Sequence, residues 1–179
     1  MSRIRFAFAQ EVFAAFPTAC EDIKAKPTEE PPLVFLRSLV NGPVPEDAIT
    51  FCAYLLPRRE AVWWASQCVR DLVGTPTEYD QAALKSAEDW VFEPEEPKRQ
   101  AALQIGMTGN RKAPSTWVAL AAAWSGGNLV INEYGGAPAP PHLTAKAASG
   151  ALMFALLGKP DRGAEITRCI ERGIQIAES

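Results

Sequence analysis

Histidine is nearly missing from this chain. His142 is the single one among 179 residues, and it sits in Pro140-Pro141-His142 with no second ligand type beside it. The four cysteines, Cys20, Cys52, Cys68 and Cys169, are scattered singly, and neither CxxC nor HExxH occurs. Zinc and iron–sulfur centres draw on His and Cys at short, regular spacings, so no metal is expected, and no other cofactor. A Cys–His nucleophilic pair can be assembled from distant positions, but nothing here supplies a carboxylate to orient His142. Cys52, Cys68 and Cys169 fall on apolar helical stripes, where a free thiol packs as a small hydrophobe.

Basic charge is not in excess either. Eighteen Lys and Arg face 21 Asp and Glu, a net charge of −3. Phosphate neutralisation therefore has little to work with, and nucleic acid is not an expected partner. No apolar run approaches the roughly 18–20 residues of a membrane span. Arg3 and Arg5 ahead of apolar residues, with Pro17-Thr18-Ala19-Cys20 behind, have the outline of a lipoprotein leader. Gln10 and Glu11 break the apolar stretch, so export is not expected. With unclustered thiols, this points to a reducing, cytoplasmic location.

Strand alternation is almost absent too, and what remains is helical. The chain is 47% hydrophobic and 22% charged, an ordinary globular balance. A chain of this length can bury about 70% of its extended surface without a metal or disulfide. Prolines cut it into segments of helical length. Phe6, Phe8, Val12, Phe13 and Phe16 share one side of a first helix. Residues 17–31, with Pro17, Pro27 and Pro31 among acidic residues, read as an irregular connection. Helices are then predicted over 33–40, 45–57, 57–73 and 77–92. The third carries the widest apolar stripe (Ala61, Trp64, Ala65, Cys68, Val69, Leu72, Val73) and a Gly74 stop. In the fourth, Thr77-Glu78-Tyr79-Asp80 resembles a capping box, with Asp in place of the longer Glu or Gln.

A helix follows from Pro94 or Pro97 through Ile105. Pro114 then opens Trp117 to Trp124, apolar all round, which places it at the centre. Gly126 to His142 holds four glycines and three prolines and reads as a long loop, with Leu129-Val130-Ile131 as a short extended piece. Thr144 is expected to cap a second apolar helix to Leu157, and Asp161 to Ala177 forms the last. The expectation is an all-α fold: a single helical domain over residues 1–179 with about eight helices and a long Gly/Pro-rich loop. Trp64, Trp90 and Trp117 are nearly evenly spaced, but their flanks differ, so this is no solenoid.

Three local patterns imitate reactive sites and fail on spacing. Gly106-Met107-Thr108-Gly109-Asn110-Arg111-Lys112 lacks the GxxxxGK[ST] order and a preceding strand, so it reads as a helix-ending turn. Ser125-Gly126-Gly127 has no Gly two positions before the serine and is no nucleophile elbow. Glu88, Asp89, Glu93, Glu95 and Glu96 have no His, Lys or metal partner for acid–base work. The last three suit a helix start instead.

Trp63 is the informative residue. Its neighbours at helical spacing, Arg59, Glu60, Ser66, Gln67 and Arg70, belong to the polar face. Either another segment covers the indole, or it is available to a partner, where Trp is enriched as an anchor.

The landmarks Glu60-Ala61-x-Trp63-Trp64-Ala65, Ala87-Glu88-Asp89-Trp90-Val91, Arg99-x-Ala101-Ala102, Trp117-x-Ala119-Leu120-Ala121 and Trp124-Ser125-Gly126-Gly127 carry a family resemblance. Over residues 57–157 the chain resembles an uncharacterised bacterial all-helical domain-of-unknown-function family associated with type VI secretion gene neighbourhoods. Its most specific part is the Trp-Ser-Gly-Gly turn followed by Pro138 to Pro141. Asn128 to Tyr134 departs from the proline-rich loop of that family. The resemblance implies a fold and carries no catalytic residue.

The expected function is a non-enzymatic helical adaptor or accessory protein, linked through the resemblance to type VI secretion. Its partner is a protein the sequence does not identify. The expected contact surface is Arg59, Trp63, Arg70, Leu129, Val130, Ile131 and Tyr134. Two alternatives stand beside it. One is a small-molecule or lipid site lined by Trp117, Trp124 and Phe154, and the other is an enzyme using His142 or a cysteine.

Overall fold

Proline and short polar caps decide where most helices begin. In the computed structural model, which describes residues 2–129 and 136–179, ten helices and no strand occur among the described residues. They are α1 (Ala9–Ala15), α2 (Pro17–Asp22), α3 (Pro32–Val40), α4 (Glu46–Leu55), α5 (Arg58–Val73), α6 (Glu78–Phe92), α7 (Glu96–Thr108), α8 (Pro114–Ala123), α9 (Leu143–Leu156) and α10 (Arg162–Glu178). Pro17, Pro32, Pro97 and Pro114 sit in the first helical positions, where a missing N–H leaves nothing unpaired. Gly74, at φ 74° and ψ −78°, ends α5 in a tight turn that a side chain rarely tolerates, with the Thr75 N–H donating to the Val73 carbonyl.

The all-α reading holds, with differences at the N-terminal end. α1 starts at Ala9 rather than Phe6 because the Glu11 carboxylate reaches back to accept from the N–H groups of Ala7 and Phe8. The stretch 17–31, read as irregular throughout, contains α2. Its seat is Tyr54 on α4, whose hydroxyl donates to Asp22 at 2.7 Å and lies 2.9 Å from the Thr18 hydroxyl. The rest of that stretch is tied down by buried Asp47, which accepts the N–H groups of Lys24 and Ala25. Thr144 does not cap α9, which already begins at Leu143. Its buried hydroxyl meets that of Ser125 at 3.1 Å.

α8 packs against α5, α6, α7 and α9, and α9 continues onto α4 and α5. α3 and α4 carry α10, which also lies on α5. One apolar cluster draws residues from all ten helices, including a Phe13–Phe35–Phe51 group whose rings lie 4.8–6.1 Å apart. Leu120 and the alanines of α8 and α9 at 119, 121, 122, 123, 147, 148 and 151 are almost wholly removed from solvent. Small side chains let these two backbones approach closely.

Burying the end of α8 creates a second requirement. Its last carbonyls have no partner within the helix and little access to water. Arg99 on α7, itself 5% exposed, donates from Nη1 to the Ala123 carbonyl at 2.7 Å. Arg58 donates to the Ser125 carbonyl, and the Ser125 hydroxyl donates to that of Ala121. The Arg99 guanidinium is paired on its other edge with Glu96. Gly127 (φ 60°) wraps over it so closely that a Cβ would stand 2.3 Å from Nη2. Beyond it the chain closes back on itself: Asn128 and Pro138 face each other in an antiparallel bridge. The Leu129 and Ala139 N–H groups donate to the Ala137 and Gly127 carbonyls.

α10 is seated the same way. The Trp64 indole N–H, fully buried on α5, donates to the Cys169 carbonyl at 2.8 Å. One turn later a Cβ on Gly173 would fall 2.5 Å from the Cys52 sulfur and 3.2 Å from Trp64 Nε1. Gly173→Ala is therefore expected to destabilise by about 1–3 kcal/mol, outweighing the better helix propensity of alanine. Gly150 on α9 has nothing within 4 Å of a built Cβ, and Gly150→Ala is expected to stabilise by about 0.5–1 kcal/mol. Urea unfolding of the two variants checks the opposite signs.

Candidate functional site

Trp63 leaves α5 on its polar side, and the structure resolves what meets it there. The indole is half-buried and packs edge to face with Phe92 at the end of α6, ring centroids 5.4 Å apart. Phe92 keeps 64% of its surface exposed. Together with Arg3, Arg59, Val91 and Ile176 the two rings line a groove of about 400 Å³ where α5, α6 and α10 meet. A smaller depression of about 300 Å³ continues from Trp63 and Ile176 toward Gln67 and Gln175.

The cations of this groove are engaged in building it. The Arg59 guanidinium donates to the carbonyls of Val91 at 2.5 Å and Phe92 at 3.4 Å, capping the negative end of α6. That contact fixes the ring of Phe92 beside Trp63. Arg3 pairs with Glu60 at 2.7 Å, and its backbone N–H donates to the Ala177 carbonyl, so the N-terminal segment lies across the end of α10. The floor is apolar and the rim polar, with no arginine left over as a free charge.

Of the residues read as a contact surface, Arg59 and Trp63 come together in this groove. Arg70 does not join them. Two turns along α5, it forms a bidentate pair with Glu88 on α6, at 2.7 and 2.8 Å, and the Ser66 hydroxyl donates to the same carboxylate. Arg70 is thus a clamp between α5 and α6. Leu129 lies in the closed base of the loop, its carbonyl accepting from Trp124 Nε1, and does not line the groove. Val130, Ile131 and Tyr134 lie outside the described residues. Phe92 was missed by sequence reasoning, although it falls off the stripe of Tyr79, Ala83, Ala87, Trp90 and Val91, and that misfit was the available signal. Arg3 and Ile176 come from the two ends of the chain and gave no such signal.

The other tryptophans divide into two sets. Trp64 and Trp90 are buried. Trp117 and Trp124, expected in the core, are only partly buried. Both lie at the edge of α8, where Trp117 stacks on Phe154 of α9 and meets Trp124 edge to face. Arg111 covers the outer face of Trp117 and accepts its indole N–H through the backbone carbonyl. These rings fill one another's contact surfaces. Gly109, in the turn once compared with a phosphate loop, passes beneath the Tyr79 hydroxyl, where a Cβ would stand 1.7 Å away.

Perturbed carboxylates accompany structural contacts. Burial opposes ionisation of Glu88, but donation from Arg70 and Ser66 outweighs it and holds the group below its ordinary range. Asp80 follows the same pattern: burial is outweighed by donation from Ser115 on α8 and from Thr77, whose hydroxyl accepts the Asp80 N–H in return. The predicted capping box is thus also a strut to α8. His142 stands at the start of α9. Among the described residues, no three His, Cys, Asp or Glu side chains are placed to hold a metal ion. No described helix is long and apolar enough to cross a membrane.

Carboxylates whose folded pKa is depressed stabilise the protein above the unfolded value, and that stability disappears as pH falls through the folded one. Stability is accordingly expected to be full at neutral pH and to decline as pH drops below the ordinary carboxylate range, around pH 4. Glu88→Gln is expected to cost about 1–2 kcal/mol at pH 7, because the pair is partly exposed, and to flatten that acid decline. Chemical unfolding of both chains across pH 3–7 checks the slope.

No curated protein and no solved structure matches the chain. The family resemblance read over residues 57–157 proves to be part of a longer match: residues 35–177, from α3 to the end of α10, fit a family of unknown function (DUF6931), and this protein belongs to that family.

Proposed function

We propose that the protein is a non-enzymatic helical adaptor of the bacterial cytoplasm that binds another protein through the Trp63–Phe92 groove. The observation that carries this reading is Phe92. A phenyl ring that is 64% exposed, locked against a tryptophan at the edge of a 400 Å³ groove, leaves apolar surface in water. Such surface is recovered when a partner side chain enters. The geometry suits an aromatic or aliphatic anchor inserted between Phe92 and Ile176, with polar contacts around it. Rigid side chains strengthen the reading, since Arg59 holds the end of α6 and little ordering remains for binding to impose. The non-enzymatic part rests on the perturbed carboxylates, which support helices. The link to type VI secretion rests on the family resemblance in the Trp124-Ser125-Gly126-Gly127 segment.

Phe92→Ser separates binding from folding. Because the ring is mostly exposed, the substitution is expected to change stability by no more than about 0.5 kcal/mol. Affinity capture from the native cell with tagged wild-type protein defines the bound protein. Its retention is expected to fall at least about 30-fold with Phe92→Ser, the loss of one anchor residue. A partner held equally by wild type, Phe92→Ser and Trp63→Ala would place the contact elsewhere. Unchanged capture with a lowered melting temperature in Trp63→Ala would assign Trp63 to packing alone.

A further inference from the structure

Farther along the seam between α5 and α10 from the aromatic groove, two cysteines separated by a hundred residues of sequence come together. Cys68 on α5 and Cys169 on α10, both buried, lie close enough that each shifts the other's titration. Both border a groove of about 380 Å³ between the two helices, walled by Asp71, Leu72, Glu165, Arg168 and Arg172. A water molecule occupies about 30 Å³ of liquid, so a small solute fits this opening beside the two cysteines, which are themselves only 2% and 4% exposed. Cys52 lies behind them, fully buried, and does not line the groove. Cys20, on α2, is exposed.

The meeting is held by rigid contacts. Cys169 presents its carbonyl to the buried Trp64 indole at 2.8 Å, and Gly173 one turn later is packed against Cys52 and Trp64. These fix the height of α10 on α5 at the level of the thiols. Arg172, paired with Asp71 at 2.7 Å, brings positive charge over them from α10. Simple burial of small hydrophobes requires no groove bordered by both cysteines.

We propose that Cys68 and Cys169 form a reversible dithiol–disulfide site, oxidised by a small hydroperoxide that enters through the groove between α5 and α10. Donation from Cys68 lowers the Cys169 pKa, and Arg172 adds to this against the opposing effects of burial, Glu165 and Asp71, so Cys169 is the more acidic thiol of the pair and reacts through its thiolate form. Its sulfur attacks the terminal hydroperoxide oxygen. The S–O bond forms as the O–O bond breaks, the sulfur loses two electrons to become a sulfenic acid, and the released alkoxide or hydroxide takes up a proton. The Cys68 sulfur then attacks the Cys169 sulfur. An S–S bond forms, the S–O bond breaks, and the departing hydroxide leaves as water with the Cys68 proton. Two thiols and one hydroperoxide thus yield a disulfide, water and one alcohol or second water. A dithiol reductant reverses the change by exchange at sulfur.

The test uses the full chain carrying Cys20→Ser, which removes the exposed thiol and retains three. The folded protein is treated with hydrogen peroxide, then denatured, alkylated and mapped by peptide mass. Free thiols are expected to fall from three to one, with the peptides of Cys68 and Cys169 recovered joined, and dithiothreitol is expected to restore three. Adding Cys68→Ser is expected to leave a sulfenic acid at Cys169 that dimedone labels. Retention of three thiols, a disulfide through Cys52, or joining of Cys68 to Cys169 only after unfolding would each overturn the proposal. The mapping in the Cys20→Ser chain stands by itself if the Cys68→Ser variant does not fold.

Discussion

Helix α8 has no polar face, so it persists in water only when other helices enclose most of it. That enclosure carries a cost at its C-terminal end, where backbone carbonyls lose solvent before they gain partners. Arg99 meets the cost by entering the interior with its charge balanced by Glu96 and its guanidinium placed against the Ala123 carbonyl. An arginine suits this place because its planar fork can serve a carboxylate on one edge and a carbonyl on the other. The turn that follows must then pass over a flat cation at van der Waals distance with a left-handed backbone, and only glycine at 127 allows both. Trp124-Ser125-Gly126-Gly127 is therefore the outward form of an internal requirement. Its serine satisfies one carbonyl and offers its own to Arg58, and its last glycine admits Arg99.

The same logic runs outward to the groove. Arg58 reaches the end of α8, while its neighbour Arg59 points to the end of α6. Two successive arginines at the start of α5 thus stitch two helix termini to one helix, each meeting a negative helix end with a fixed positive charge. Trp63 follows one turn after Arg59, so its edge-to-face contact with Phe92 is set by the capping of α6. The aromatic pair stays in place because the carbonyls beneath it are held. Arg70 and Glu88 keep α5 and α6 in register farther along.

Helical periodicity and proline placement made most of the architecture legible. The inward stripe of α10 (Ile166, Cys169, Ile170, Gly173, Ile174) is buried as read, and so is that of α5 except for half-buried Val73. α2 escaped because its stability is tertiary. Six residues with two acids at the end have no strong helical pattern, and Tyr54, more than thirty residues away, holds them. Trp117 and Trp124 were misplaced for a related reason. A helix that is apolar all round gives no indication of which face lies at the domain's edge, and only the positions of α9 and Arg111 decide it. The groove was half legible. Trp63 and Arg59 are local to one helix, but their wall comes from Arg3, Phe92 and Ile176, brought together by chain topology. Arg70 shares the polar face with Trp63 and looked equally available. Periodicity shows which side of a helix a charge occupies, not whether a carboxylate waits on the next helix.

The two openings beside α10 differ in what their walls can do. The aromatic groove is built from rings and from arginines whose donors are already committed, so its free energy of occupation must come mainly from apolar burial. The thiol groove is walled by ion pairs between Arg172 and Asp71 and between Arg168 and Glu165, which leave it polar. Arg172 also lines the depression that continues from Trp63, so one side chain borders both surfaces. Its partner Asp71 is on α5, and its own helix is α10. Any shift of α10 along α5 must therefore move Arg172 relative to Cys68 and to Trp63 together. What opposes such a shift is the Trp64–Cys169 hydrogen bond and the absence of a side chain at Gly173. The place of Ile176 in the aromatic groove and the proximity of the two cysteines have a common origin in the close seating of α10 on Trp64.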